Sequence, residues 1–210
     1  MQPIGEQIGV IEENEAEHFW ERTGENNRLG EPKNEIERLT REHIGTKPFI
    51  EGAFMNKHNG FYYLQYAAPG TQYNTYADGV YIGKTPLGPF IYQPHNPFSA
   101  KPGGFITGAG HGSTFQDKLG NWWHISTMRI SCHDNFERRL GLFPCAFDDD
   151  GVLYCNQNFA DYPFALPQEL LAFPHSIRPE WQLLSYTKRV TASSHLPGHG
   201  PELAANEDIC

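Results

Sequence analysis

A carboxylate, Glu51, and an imidazole, His111, head two copies of one sequence pattern sixty residues apart. The first copy runs from Glu51-Gly52-Ala53-Phe54 to Gly60-Phe61-Tyr62-Tyr63, the second from His111-Gly112-Ser113-Thr114 to Gly120-Asn121-Trp122-Trp123. In each, a Gly follows the first residue and another stands two positions before an aromatic pair. Residue types match more than identities do, as in repeated structural units. Units arranged about an axis would aim Glu51 and His111 at one place. There a carboxyl group can move a proton, and an imidazole can hold a hydrogen bond or a ligand.

The elements that position them are short strands. Phe49–Met55, Phe61–Ala67, Gly79–Gly83 and Phe90–Tyr92 are rich in strand formers, broken at His58-Asn59-Gly60 and at Thr85-Pro86-Leu87-Gly88-Pro89. The second unit repeats this with Gly112–Gln116, Trp122–Met128, Arg139–Pro144 and Val152–Cys155. Four short strands per unit at this period is the pattern of a propeller blade, whose innermost strand lines the central channel. An ordinary β-sandwich with two similar hairpins is the alternative. Residues 1–47 are acidic and weakly periodic, with short helices predicted at Glu12–Glu17 and at Asn34–His43, the latter with Ile36, Leu39 and His43 on one face. Trp181–Tyr186 reads as a further strand.

Aromatics at 13% with 21 Gly and 16 Pro in 210 residues fit a β-rich, turn-rich chain. The net charge of −9, with no local Lys/Arg cluster, argues against nucleic acid. Neutral carbohydrate, with its apolar ring faces, suits the composition better. No stretch reaches the roughly 18 apolar residues of a membrane span. Met1–Glu6 lacks the basic and apolar regions of a signal peptide. Cys132, Cys145, Cys155 and Cys210 have no metal-ligand spacing; Cys145 and Cys155 flank a turn and read as buried free thiols.

Several motifs occur in a specific order: Phe49-Ile50-Glu51-Gly52-Ala53, Gly60-Phe61-Tyr62-Tyr63-Leu64, Ala77-Asp78-Gly79-Val80, Pro86-Leu87-Gly88-Pro89-Phe90, Gly108-Ala109-Gly110-His111-Gly112-Ser113 and Arg138-Arg139-Leu140-Gly141-Leu142-Phe143-Pro144. Over residues 48–155 the chain thus resembles glycoside hydrolase family 43, five-bladed propeller enzymes acting on arabinose- and xylose-containing glycans. The fold class this implies is all-β, a partial five-bladed β-propeller of about two blades plus a remnant. The resemblance implies O-glycosyl hydrolysis with inversion, and Glu51 falls on the Glu-Gly-Pro motif that bears the family's general acid. Ala53 stands where the family has Pro. Such an acid must stay protonated to serve the leaving oxygen, while a second carboxylate activates water across a separation of about 6.5–9.5 Å. The plainer reading of Glu51 is a salt-bridged carboxylate at a strand end.

By the same resemblance His111 is the central Gly-His-Gly histidine, which binds near substrate and helps hold calcium through water. Its alternative is a buried, hydrogen-bonded histidine. Arg138 falls on a substrate-pocket arginine, with Arg139 on the opposite face; its alternative is a surface Arg paired with Glu137 or Asp134. Trp122, Trp123, Tyr62 and Tyr63 read as blade packing. Asp78, Asp117 and Asp161 read as turn residues, Asp148-Asp149-Asp150-Gly151 as a hairpin turn, and His58, His95 and His124 show no ligand spacing.

Residues 1–47 contain no Asp, so neither the family's catalytic base nor its second, acid-tuning Asp falls on any residue. Residues 187–210 look like the opening of a discoidin-like carbohydrate-binding module. The expected organisation is a blade remnant and connector over 1–47, two blades over 48–155, a connector and closing strand over 156–186, and a truncated second β-sandwich over 187–210. Family resemblance implies a plant-type polysaccharide or oligosaccharide substrate and a secreted or periplasmic location. A fragment that binds glycan without cleaving it, or that has no stable function, is the competing expectation.

Overall fold

In the computed structural model, residues 5–22, 31–32, 34–44, 48, 50–104, 106–130, 134, 137–157, 164–172, 185 and 188–205 are described. They form two antiparallel sheets, each a simple meander. The first contains β1 (Glu51–His58), β2 (Phe61–Ala68), β3 (Ala77–Gly83) and β4 (Phe90–Tyr92) in that order, with the short β5 (Ser99–Ala100) pairing on β3. The second contains β6 (Thr107–Gln116), β7 (Trp122–Arg129), β8 (Arg138–Phe147) and β9 (Leu153–Cys155) in order. The second sheet and strands β1–β4 of the first correspond to the four-stranded units anticipated from the repeat, with β5 an added fifth strand in the first sheet, and the turns fall where Gly and Asp were clustered. In the β6–β7 turn Asp117 accepts from the backbone N–H groups of Leu119 and Asn121 and from Trp123 Nε1. Asp148 does the same for Asp150 and Val152 between β8 and β9.

Side-chain alternation gives each sheet two faces. Cross-strand partners share a face, so Tyr63 with Ile82, Gln65 with Val80, and Ala67 with Asp78 lie on the side turned to the second sheet. Tyr63, Val80 and Phe98 pack there against Cys145 and Leu153, with Trp122 and Phe147 at the rim. Aromatics at these positions are therefore blade packing, as expected.

The other face of the first sheet is covered by residues 11–22. The predicted helix at Glu12–Glu17 is replaced by a turn and a 3-10 helix, Phe19–Arg22. The reason is anchoring. Trp20 packs on Tyr66, Ala68, Ala77 and Tyr81, and its Nε1 donates to Tyr92 Oη at 2.8 Å. Fully buried Glu21 accepts from Tyr66 Oη at 2.6 Å and from the Asn14 backbone N–H at 2.8 Å. The predicted second helix forms as α1 (Glu35–Ile44), although Ile36 and Leu39 remain exposed.

Cys145 and Cys155 are cross-strand neighbours and free thiols, both pushed up in pKa by burial. Residues 188–205 form turns, bends and a 3-10 helix, Pro201–Ala205. Phe49, Cys132, Cys210, Asp161 and all of Trp181–Tyr186 except Ser185, which lies in a turn, are outside the described residues. No helix among the described residues is long and apolar enough to cross a membrane.

Candidate active site

The two innermost strands, β1 and β6, both break register where the repeat begins. β1 has a bulge between Glu51 and Phe54, and β6 has two, between Gly108 and Gly110 and between Gly110 and Ser113. Bulges re-aim side chains, and these bring the two repeat heads together: His111 Nδ1 lies 3.9 Å from Glu51 Oε2. His111 takes the left-handed φ of 54°, and Gly52, at φ 66°, lies against it. A Cβ on Gly52 would stand 3.0 Å from His111 Cγ, so the close approach requires the missing side chain.

Glu51 is held from its other oxygen. Tyr76, just ahead of β3, donates from Oη to Glu51 Oε1 at 2.6 Å. Burial, followed by this bond, pushes the phenol well above its ordinary pKa, so Tyr76 remains a neutral donor. Glu51 keeps 39% of its side-chain exposure and His111 58%, so both are reachable from solvent. The pair matches the common target expected of the repeat. Tyr76 was not singled out in the sequence; an aromatic one residue before a strand gave no chemical signal.

Arg138 donates from Nη1 to Thr71 Oγ1 at 2.9 Å and lies near enough to Tyr76 to favour its ionised form slightly. Its neighbour Arg139 places Nη2 3.5 Å from Glu137 Oε1. Calcium takes six to eight oxygen ligands. Here one imidazole and one carboxylate meet, and no group of three His, Cys, Asp or Glu side chains converges among the described residues. These residues alone do not fit the ion that the resemblance implied.

The turn reading of Asp78 is corrected. It lies in β3, 1% exposed, on the face turned to the second sheet. Its Oδ2 is 2.9 Å from His124 Nε2 and accepts from the Gly112 backbone N–H at 3.0 Å. Parity with Val80 and Ile82 was the available signal that this carboxylate points inward. Burial pushes the Asp78 carboxyl up, against the opposing pull of His124 and the backbone donors.

A directed chain of hydrogen bonds continues from this pair. The Thr114 carbonyl can only accept, so Asn56 presents Nδ2 to it at 2.7 Å and Oδ1 to Gln65 Nε2, also at 2.7 Å. Gln65 Oε1 then accepts from Thr114 Oγ1 at 3.0 Å. With its proton committed, Thr114 Oγ1 accepts from His124 Nδ1–H at 3.1 Å. His124 Nε2, at the other edge of the ring, stands 2.9 Å from Asp78 Oδ2.

The profile of the Glycosyl hydrolases family 43 matches residues 12–153. The chain belongs to that family. An endo-1,4-beta-xylanase from Bacteroides thetaiotaomicron is 29% identical, with 54% of this chain and 39% of that one covered and a TM-score of 0.49. A thermostable family-43 glycoside hydrolase is 26% identical, covering 58% and 39% at a TM-score of 0.50. A xylan beta-1,4-xylosidase from Bacillus halodurans is 24% identical, covering 62% and 26% at 0.49. The chain therefore spans about two fifths or less of these structures. Membership extends to residues 12–47, beyond the 48–155 that the motifs covered.

Proposed function

We propose that this family-43 chain supplies the proton-donating side of a glycosidase site, with Glu51 as general acid in inverting hydrolysis of arabinose- or xylose-type glycans. The observation that carries the reading is a solvent-reachable carboxyl at the head of an innermost strand, fixed through one oxygen by Tyr76 and facing His111 with the other. Tyr76 Oη holds Oε1, which leaves Oε2, on the His111 side, as the oxygen that would pass the proton to the leaving group. His111, exposed beside it, would bind sugar hydroxyls, and Arg138 would line the same pocket. The carboxylate that activates water falls on no residue matched here. Calcium held through water at His111 would need oxygen donors from outside the described residues. An extracellular polysaccharide substrate is the reason to place the protein outside the cytoplasm, secreted or periplasmic.

The test is Glu51→Gln in a protein carrying the whole propeller. General-acid assistance is worth about 10²–10⁴-fold, so turnover of alkyl glycosides and unactivated oligosaccharides should fall by that order. Aryl glycosides with acidic phenol leaving groups need little protonation and should lose far less. Equal losses on both substrate types would assign Glu51 a structural role.

A further inference from the structure

We propose that Asp78 is a positioning residue for this site: its buried carboxylate, locked by His124, holds the left-handed turn at His111 and so places the imidazole beside Glu51. The geometry has three parts. First, His111 at φ 54° and Ala109 at φ 106° are both non-glycine residues at positive φ. Such residues persist only where their surroundings fix them. Ser99 Oγ holds the Ala109 carbonyl at 3.1 Å, and Asp78 fixes His111, because its carboxyl accepts the backbone N–H of Gly112 at 3.0 Å and also that of His111. Two successive donors on one carboxylate pin the direction in which the strand leaves the turn.

Second, the carboxylate has no freedom of its own. Asp78 and His124 are essentially inaccessible to solvent, and Phe98 packs edge-on against the His124 ring with centroids 5.0 Å apart. Third, the directed hydrogen-bond chain from His124 through Thr114 and Gln65 ends on Asn56, which lies on β1, the strand that begins with Glu51. The network thus ties Glu51's strand and His111's strand to one buried anchor. Direct packing of His111 on Gly52 completes the circuit at the surface. Asp78 touches no reacting atom; it acts through His111. Its bearing on catalysis rests on the glycosidase reading, whereas the placement itself does not.

The experiment is hydrogen exchange by mass spectrometry on the 210-residue chain, comparing wild type, Asp78→Ala and Asp78→Asn. Exchange reports local opening strand by strand. Removing a charged acceptor from two backbone donors should raise exchange in peptides covering 109–113 by about tenfold or more. Peptides from β2 and β8 should keep wild-type rates. Oδ2 meets both the Gly112 N–H and His124 Nε2, and the single amide atom that replaces it cannot serve both, so the near-isosteric Asp78→Asn should also raise exchange at 109–113, by about threefold or more. Wild-type exchange at 109–113 in Asp78→Ala overturns the proposal, and so does an equal rise in every strand, which is the mark of a general structural role. If Asp78→Ala does not fold, Asp78→Asn decides alone, since wild-type exchange at 109–113 there refutes a carboxylate that positions the turn. None of these outcomes depends on glycosidase activity, so they are distinguishable from failure of the Glu51 test.

Discussion

Gly112→Ala should be among the most damaging one-carbon changes in the molecule. An added Cβ would stand 2.4 Å from both Cε1 and Nε2 of His124 and 2.7 Å from Asp78 Oδ2. Neither neighbour can yield easily. The His124 ring is bonded at both nitrogens and inaccessible to solvent, and Asp78 holds the Gly112 N–H itself. Forcing a methyl into a packed interior costs about 1–3 kcal/mol. Disturbing a hydrogen bond to a charged acceptor costs about 1.5–3 kcal/mol more. A combined loss of about 3 kcal/mol or more follows, and in a chain of this length each kcal/mol moves the melting temperature by about 2–4 °C. Calorimetry and urea unfolding should therefore show a drop of about 6–12 °C. Gly103→Ala is the control, because nothing lies within 4 Å of its missing Cβ. A Gly112→Ala protein within about 0.5 kcal/mol of that control would refute the packing argument.

In a protein carrying the whole propeller, Tyr76→Phe removes one donor to the Glu51 carboxyl and should lower kcat/KM by about tenfold with overall stability little changed; an unchanged rate would show that Glu51 needs no such orientation. Burial raises the pKa of the Cys145 and Cys155 thiols. The peptide containing Cys145, the buried one of the two, should stay unmodified by iodoacetamide at pH 8 in the folded protein and react in urea; prompt labelling without denaturant would contradict its burial. Burial also raises the phenols of Tyr66, Tyr76 and Tyr81, that of Tyr81 to about 12. Unfolded tyrosines ionise near pH 10. The unfolded state therefore releases protons first, and stability intact below about pH 10 is lost as pH climbs toward 12. Absorbance at 295 nm should rise together with loss of near-UV circular dichroism; all ten tyrosines titrating with a midpoint near pH 10 while the tertiary signal is retained would refute the burial of these rings.

Strand positions and the blade repeat were legible because Gly and Asp mark turns and because aromatic, β-branched runs have one plausible conformation. The meeting of Glu51 and His111 was legible for the same reason, since equivalent positions in repeated units converge. Asp78 was not. An Asp-Gly pair has turn chemistry, but Gly79 is glycine here because a Cβ would lie 2.6 Å from Trp20 Cζ2. Nothing local announces that contact, which spans 59 positions of chain between residues 20 and 79. His124 was passed over because its partner is 46 residues away. The stretch 11–22 reads as an acidic connector, yet His18 stacks on Tyr92 with ring centroids 3.6 Å apart and Glu21 is fully buried. Charge-rich composition conceals such anchors, since only a folded sheet supplies the phenols that satisfy them.

The fixed direction of the Asn56–Gln65–Thr114–His124 chain restricts how these positions can vary among relatives. Asp at 56 would face the Thr114 carbonyl with no donor, and Glu at 65 would set two acceptors against each other at Asn56 Oδ1. Val at 114 would leave Gln65 Oε1 and His124 Nδ1 each without a partner in the interior. Tolerated changes must replace these amides and hydroxyls together, with apolar side chains of similar volume or with another set whose donors run the same way. The four positions, drawn from β1, β2, β6 and β7, should accordingly drift through evolution as a linked unit, and their joint substitution pattern is a record of which blades have stayed together.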